Sequence, residues 1–324
     1  MFGKDRRKQK VLQEGNQQDA SAISQNVDES AEILPRRPFT CVKIPGRGFG
    51  MVANRDIKKG ELILEEKPIL TLAPIDVDNN AGEQHVTVAG IMKQYNMLSR
   101  SDQNKIKQLH SVSEPKTILG IIQANSFVRG VISEESVLCI ESSRFNHSCR
   151  QNVSHGYVAE KDVERIVACR DVKEGEELLT CYAPPFDSYS SRQAVLRCHY
   201  GFECDCVVCA APPEERKQND KLREQFKMLD KRIPEVGSLN PKEGLGLVAD
   251  ALRILEKLDL QLAPLLEHHY YDGFQLAKGC GQMTRAKLFA KKAAEAVAIC
   301  EGETTKHKKL LSYSKNPSLH INGT

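Results

Sequence analysis

Three cysteines fall within six residues, Cys204-x-Cys206-x-x-Cys209, and they restrict this chain more than any other feature. Thiols crowded at that spacing are typical of metal sites. Zinc takes four ligands in a tetrahedron, and a closed structural site draws all four from the protein. The local group offers three, so the fourth must be carried in from elsewhere in the fold. Cys149, in Asn146-His-Ser-Cys149, is the leading candidate; spacing alone leaves Cys198 and His199 open. A plain cluster of buried or reactive thiols is the competing reading. A disulfide framework does not suit a chain of 324 residues with 11 cysteines, an odd number and mostly scattered.

Hydrophobic residues make up 40% of the chain and charged residues 27%, enough apolar material for a substantial core. A net charge of +3 is too small to indicate nucleic-acid wrapping, which makes a zinc-ribbon nucleic-acid binder a poor fit. The longest apolar runs, Leu62–Leu64 and Ile118–Ile122, fall far short of the roughly 20 residues of a membrane span. Met1 to Val11 is basic and polar, without the apolar centre of a secretory signal. An intracellular protein, nuclear or cytoplasmic, is expected.

Residues 1–37 are rich in Lys, Gln, Ser, Asp and Glu and are expected to be disordered. Within them, Lys4-Asp-Arg-Arg-Lys-Gln-Lys10 reads as an import or anionic-surface signal, or simply as solvated charge. Phe39–Ile44 and Glu61–Leu72 have strand composition, separated by the glycine turn Pro45-Gly-Arg-Gly-Phe-Gly50 and by Lys59-Gly60. Residues 74–88 read as loop. Ile91–Leu109 and Pro115–Phe127 carry helical spacing, with the polar Asn125 on the stripe of Ile118, Ile121 and Ile122. Val131–Ile140 and Val153–Cys169 return to short strands. After Pro212-Pro213, helices are predicted over Glu214–Ile233, Gly244–Leu260, Leu265–Lys278 and Met283–Cys300, the last two resembling a tetratricopeptide hairpin. From about Gly302 the tail looks loose.

Arg144-Phe-Asn-His-Ser-Cys-Arg-Gln-Asn152, followed by Glu174-Gly-Glu-Glu-Leu-Leu-Thr-Cys-Tyr182, resembles the core of SET-domain methyltransferases. Arg192…Leu196…Tyr200-Gly-Phe-Glu-Cys-Asp-Cys-Val-Val-Cys209 is similar to the segment that closes this domain in the SET-and-MYND lysine methyltransferases. Gly46-Arg-Gly-Phe49 and Asn125-Ser-Phe127 match two further family elements, and all occur in family order from about residue 39 to 209. There are departures. Gln151 stands where a proline is common, and no second cysteine cluster lies between Gly60 and Asn125, where the MYND module would sit. The helical tail is also shorter than in the larger members, so the resemblance is to a compact, fungal-type relative.

The resemblance implies an α+β fold: a β-rich SET domain over 38–183 with a helical insertion at about 91–127. A zinc-closed post-SET segment over 184–212, an all-α domain over 213–302 and a tail over 303–324 would follow, with the substrate cleft between the SET and helical parts. It implies transfer of a methyl group from S-adenosylmethionine to lysine in a protein substrate, a histone tail among the possibilities, by a monomer. Gly46, Arg47, Gly48 and Phe49 would line the donor's methionine end, glycine allowing close main-chain approach. Asn125, Asn146 and His147 would contact donor polar groups, which would give Asn125 the partner it lacks on an apolar stripe. Phe202 would pack on the adenine. Tyr182 would touch the donor and serve catalysis, and Tyr200 would wall the lysine channel. Cys149, Cys204, Cys206 and Cys209 would hold Zn²⁺. Two other readings remain, a catalytically silent SET fold acting as a binding module, and a helical-repeat adaptor carried on a SET scaffold.

Overall fold

The first strands follow from two glycines. β1 (Phe39–Ile44) turns through Pro45-Gly46-Arg47 into β2 (Gly48–Ala53), with Ile44 opposite Gly48. Gly46 and Gly48 both sit at φ 73°, where a side chain would be strained. This is a computed structural model describing residues 37–72, 76–77, 84–85, 88–129, 135–237, 239–260 and 262–320. The expectations for the N-terminal tail up to residue 36, and for most of the 74–88 loop, lie outside those residues.

The stretch read as one strand, Glu61–Leu72, is two: β3 (Leu62–Glu66) and β4 (Leu70–Leu72), parted at Pro68, which has no N–H to give a ladder. β5 (Asp76–Val77) and β6 (Gln84–His85) pair with each other. The predicted helix over 91–109 breaks at Ser99. α1 (Val88–Met97) ends before it, and the Ser99 hydroxyl accepts the Asp102 N–H to start α2 (Arg100–Lys107). α3 (Ile118–Asn125) starts later than predicted, where Thr117 accepts the Gly120 N–H. At its end the chain straightens into β7 (Ser126–Val128), which pairs with β8 (Ser136–Leu138). Ile121, Ile122, Ile106 and Tyr95 of these helices pack on Leu70, Leu72 and Leu138.

Further on come β9 (Asn146–His147), β10 (Val153–Val158), β11 (Val163–Ala168) and β12 (Glu177–Thr180). The sheets run β1-β2-β12-β9, β10-β11-β3 and β4-β8-β7. Phe39, Met51, Ile57, Phe145, Val153, Ile166 and Leu178 are buried together in one core. β12 is the positioning strand, antiparallel to β2 and parallel to β9, so the glycine turn and Asn146-His147 lie side by side.

α4 (Tyr189–Tyr200) is capped by Ser188 at its start and by Gly201, at φ 75°, at its end, and leads into the cysteine segment. The helices α5 (Pro213–Gly237), α6 (Pro241–Lys257), α7 (Ala263–Gly279) and α8 (Met283–Cys300) follow. Residues from Arg37 onward form one compact unit, so these helices are a lobe of it.

The loose tail is corrected. Thr304 caps α9 (Thr305–Lys315), which buries Leu310 and Tyr313 in the α7–α8 core, where Tyr313 stacks on Phe274 at 5.5 Å. The lysines and serines around them, Lys306 among them paired with Glu267 of α7 at 2.9 Å, hid the two apolar anchors. Truncation after Gly302 is therefore expected to destabilise the protein by at least about 3 kcal/mol, the burial of two large side chains. A thermal melt of the truncated chain unchanged from the full chain would contradict this packing.

Candidate functional site

Asn146 is the hinge of the site. Its amide donates to Glu177 Oε1 at 2.7 Å and to the Phe49 carbonyl at 3.2 Å, tying β9 to β12 and to the glycine turn. Gly50 makes this approach possible: a Cβ there would meet Glu177 Oε1 at 2.6 Å and Asn146 Nδ2 at 2.7 Å. Arg47 reaches from the turn to Asp205 at 2.7 Å and to Glu177 at 3.6 Å. Asp205 lies between Cys204 and Cys206, so this ion pair joins the turn to the cysteine segment. Phe49 is half exposed beneath the Arg144 guanidinium, 5.1 Å from its ring centroid.

Beside this lies an aromatic group. The His147 and Tyr182 ring centroids are 5.3 Å apart, Tyr182 and Tyr200 4.8 Å, and His147 and Phe202 6.0 Å. The Tyr182 hydroxyl donates to the Phe145 carbonyl at 2.6 Å. Burial first, then the proximity of Tyr200 and Glu177, pushes its ionisation well above the ordinary phenol range, so it stays protonated. The Tyr182 N–H donates to His147 Nδ1 at 2.9 Å. That fixes the tautomer, because Nδ1 accepts and Nε2 must carry the proton, which it directs at Cys149 Sγ, 3.3 Å away.

The structure brings four of the cysteines together. The sulfurs of Cys149, Cys204, Cys206 and Cys209 lie within 4.8 Å of one another, with Cys149 and Cys209 3.6 Å apart. Tetrahedral zinc–sulfur bonds of about 2.3 Å place sulfurs about 3.8 Å apart. Cys198 and His199 are exposed and outside this group. Cys149 is held well below the ordinary thiol range by hydrogen bonds from the other three, Cys204 foremost, with His147 adding to them.

Sequence reasoning missed the groups that surround this cluster. Arg192, 1% exposed, donates from Nε to Cys149 Sγ at 3.3 Å and pairs with Asp220 at 3.6 Å. Burial opposes its charge, but the Cys149 sulfur outweighs burial and holds it above its usual value. Arg223 of α5, also 1% exposed, donates to the Cys149 carbonyl at 3.3 Å. Burial, then Arg192, pushes it down to about 10. Glu177 was in view within the Glu174–Tyr182 stretch and Arg192 at the head of the closing motif, neither with a role assigned; Arg223 was not singled out.

Asn125 lies buried at the end of α3. Its amide already donates to the carbonyls of His110 at 2.9 Å and Ile121 at 2.6 Å, so the protein itself supplies the missing partner. It adjoins the site through the Ser143 hydroxyl, which donates to its carbonyl at 3.2 Å, and through His110, whose Nε2 lies 3.3 Å from the Tyr200 carbonyl.

Comparisons with known proteins agree with this geometry. Residues 48–183 match the SET domain family. The histone-lysine N-methyltransferase set5 of Schizosaccharomyces pombe is 29% identical over 87% of this chain and 85% of its own length. The histone-lysine N-methyltransferase SET5 of Yarrowia lipolytica is 29% identical over 52% of this chain, which spans only 38% of that relative. A SET domain-containing protein of Acanthamoeba polyphaga mimivirus is 27% identical over 52% of this chain and 76% of its own. Residues 48–183 of this chain thus match the SET domain, in a chain that is similar over most of its length to the histone-lysine N-methyltransferase set5 of Schizosaccharomyces pombe.

Proposed function

We propose that this protein is a protein-lysine methyltransferase that takes its methyl group from S-adenosylmethionine, with a histone as the first substrate to test. The observation that carries the reading is the Tyr182 hydroxyl, buried against Tyr200 with its proton committed to the Phe145 carbonyl. Its lone pairs are then free to accept from a lysine amine and to aim that nitrogen. Since Tyr182 stays protonated, it positions the amine rather than deprotonating it, and the lysine gives its proton to water. The neutral amine forms its bond to the methyl carbon as the sulfur–carbon bond breaks. The methylammonium that forms keeps its charge, since a free lysine-type amine titrates near about 10.4. Alignment supplies much of such a displacement. Aromatic walls of Tyr182 and Tyr200 favour the cationic product.

S-adenosylmethionine supplies the electrophilic methyl group when bound. The residues present fit it: the amide of Asn146 is spent on Glu177 and the Phe49 carbonyl, which leaves its Oδ1 to accept from a donor polar group, and the half-buried Phe202 offers an adenine platform. Arg47 and Glu177 border the same turn. Zinc, with its four thiolates, fits the sulfur cluster and would carry a net double negative charge. Arg192 and Arg223 balance that charge, and the ion would hold the segment bearing Tyr200 and Phe202 over the site. Among the described residues no helix is long and apolar enough to cross a membrane.

Calorimetric titration with S-adenosylmethionine tests donor binding. Wild-type protein is expected to bind. Asp205→Ala, which removes an exposed pair, should weaken binding about two- to fivefold and change stability by under about 1 kcal/mol. No binding by folded, metal-replete protein would sink the reading.

A further inference from the structure

In the helical lobe, α5 and α7 bring Asp230, His268 and His269 together, with ligand atoms all within 4.8 Å of one another. His268 Nε2 and His269 Nε2 each lie 3.8 Å from the same oxygen of Asp230. One turn along α7, Asp272 places a carboxylate oxygen 3.5 Å from His268 Nε2. The side chains of Asp230 and His268 are 46% and 60% exposed, so the cluster opens to water on one side.

His269 closes the other side, and it is the group packing does not explain. It is 0% exposed, and neither ring nitrogen has a hydrogen-bond partner. Its ring cannot swing out to find one. It is stacked on Phe226 at 5.1 Å and 14°, and Phe226 is stacked in turn on Phe186 at 3.9 Å. Buried polar atoms are seldom left unmet without a cause such as an ion.

We propose that Asp230, His268 and His269 form a second metal site, separate from the four cysteines, that binds a zinc-class divalent ion between α5 and α7. Two imidazoles and a carboxylate suit zinc, cobalt, nickel or copper, whereas calcium and magnesium prefer all-oxygen sets. Zinc–nitrogen bonds of about 2.0–2.1 Å in a tetrahedron set ligand atoms about 3.3 Å apart. The two Asp230–His distances need to close by about half an ångström, and the two imidazole nitrogens, within 4.8 Å of each other, by up to about 1.5 Å, movements that fall to the half-exposed Asp230 and His268. Asp272, 3.5 Å from the same His268 Nε2, is placed to fill the fourth position, with water as the alternative. The ion would cross-link α5, which carries Arg223 at the cysteine cluster, to α7.

The test is cobalt loading of full-length, untagged protein, comparing wild type with Asp230→Asn/His268→Gln, whose replaced side chains are exposed enough to leave the fold intact. Sulfur-to-cobalt charge-transfer absorption reports the cysteine site, and metal analysis after gel filtration reports total ions. Two ions per chain are expected in wild type. The variant should keep the charge-transfer band undiminished and retain one ion. A single ion in wild type under excess cobalt, or two ions retained by the variant, would overturn the proposal.

Discussion

Tyr182→Phe is expected to lower kcat for methyl transfer by at least about 100-fold, the scale for losing one positioned hydrogen-bonding group at a reaction centre. Donor affinity should stay within about threefold, because the ring that packs against His147 and Tyr200 is unchanged. A loss in kcat without a matching loss in binding marks a group acting on the reacting amine. The substitution also leaves the Phe145 carbonyl without its donor, so a cost of about 1–3 kcal/mol in stability is expected. Comparing rate and melting curve at one temperature, below the melting range of both proteins, separates these effects. Wild-type kcat in the variant would remove Tyr182 from the chemistry.

Loss of the metal should be as damaging to the fold as Tyr182→Phe is to the rate. Cys149 is wholly buried. Its sulfur faces Cys209, Arg192 and His147, and its carbonyl holds Arg223. Replacing it with alanine removes a thiolate and leaves buried guanidinium charge poorly balanced. The expected cost is about 3–5 kcal/mol, before any lost metal binding is counted. In a chain of this size that lowers Tm by about 4–7 °C. Chelation should release zinc and abolish donor binding and activity together, since α4 and the cysteine segment carry Tyr200 and Phe202. A metal-free protein with unaltered melting and activity would contradict a structural zinc.

The legible parts of the fold were those with local periodicity or local chemistry. β1 at Phe39–Ile44 and α8 at Met283–Cys300 have the bounds read from sequence, one from strand composition and the other from a 3.6-residue repeat. The glycine turn was visible because Gly46 and Gly48 occupy backbone that other residues avoid. Boundaries failed where a side-chain cap or a proline overrode the pattern, as at Ser99, Thr117 and Pro68. α9 failed because a polar stretch conceals two anchors. At the site, Asn146, His147, Tyr182, Tyr200 and the cysteines were found through motif. Spacing could not choose Cys149 over Cys198 or His199, a choice that depends on how α4 returns the chain. Arg192 stood in the closing motif without its burial being legible, and Arg223 and His269 were not singled out, because the burial of a polar side chain is set by contacts between distant segments and leaves no periodic trace.

The central claim is tested most directly by incubating zinc-loaded protein with methyl-labelled S-adenosylmethionine and a panel of histones and whole-cell protein, then hydrolysing the labelled products to amino acids. Label is expected in methylated lysine, dependent on wild-type enzyme and nearly absent with Tyr182→Phe. Label confined to another amino acid, or no label above the Tyr182→Phe background on any protein, would contradict the account.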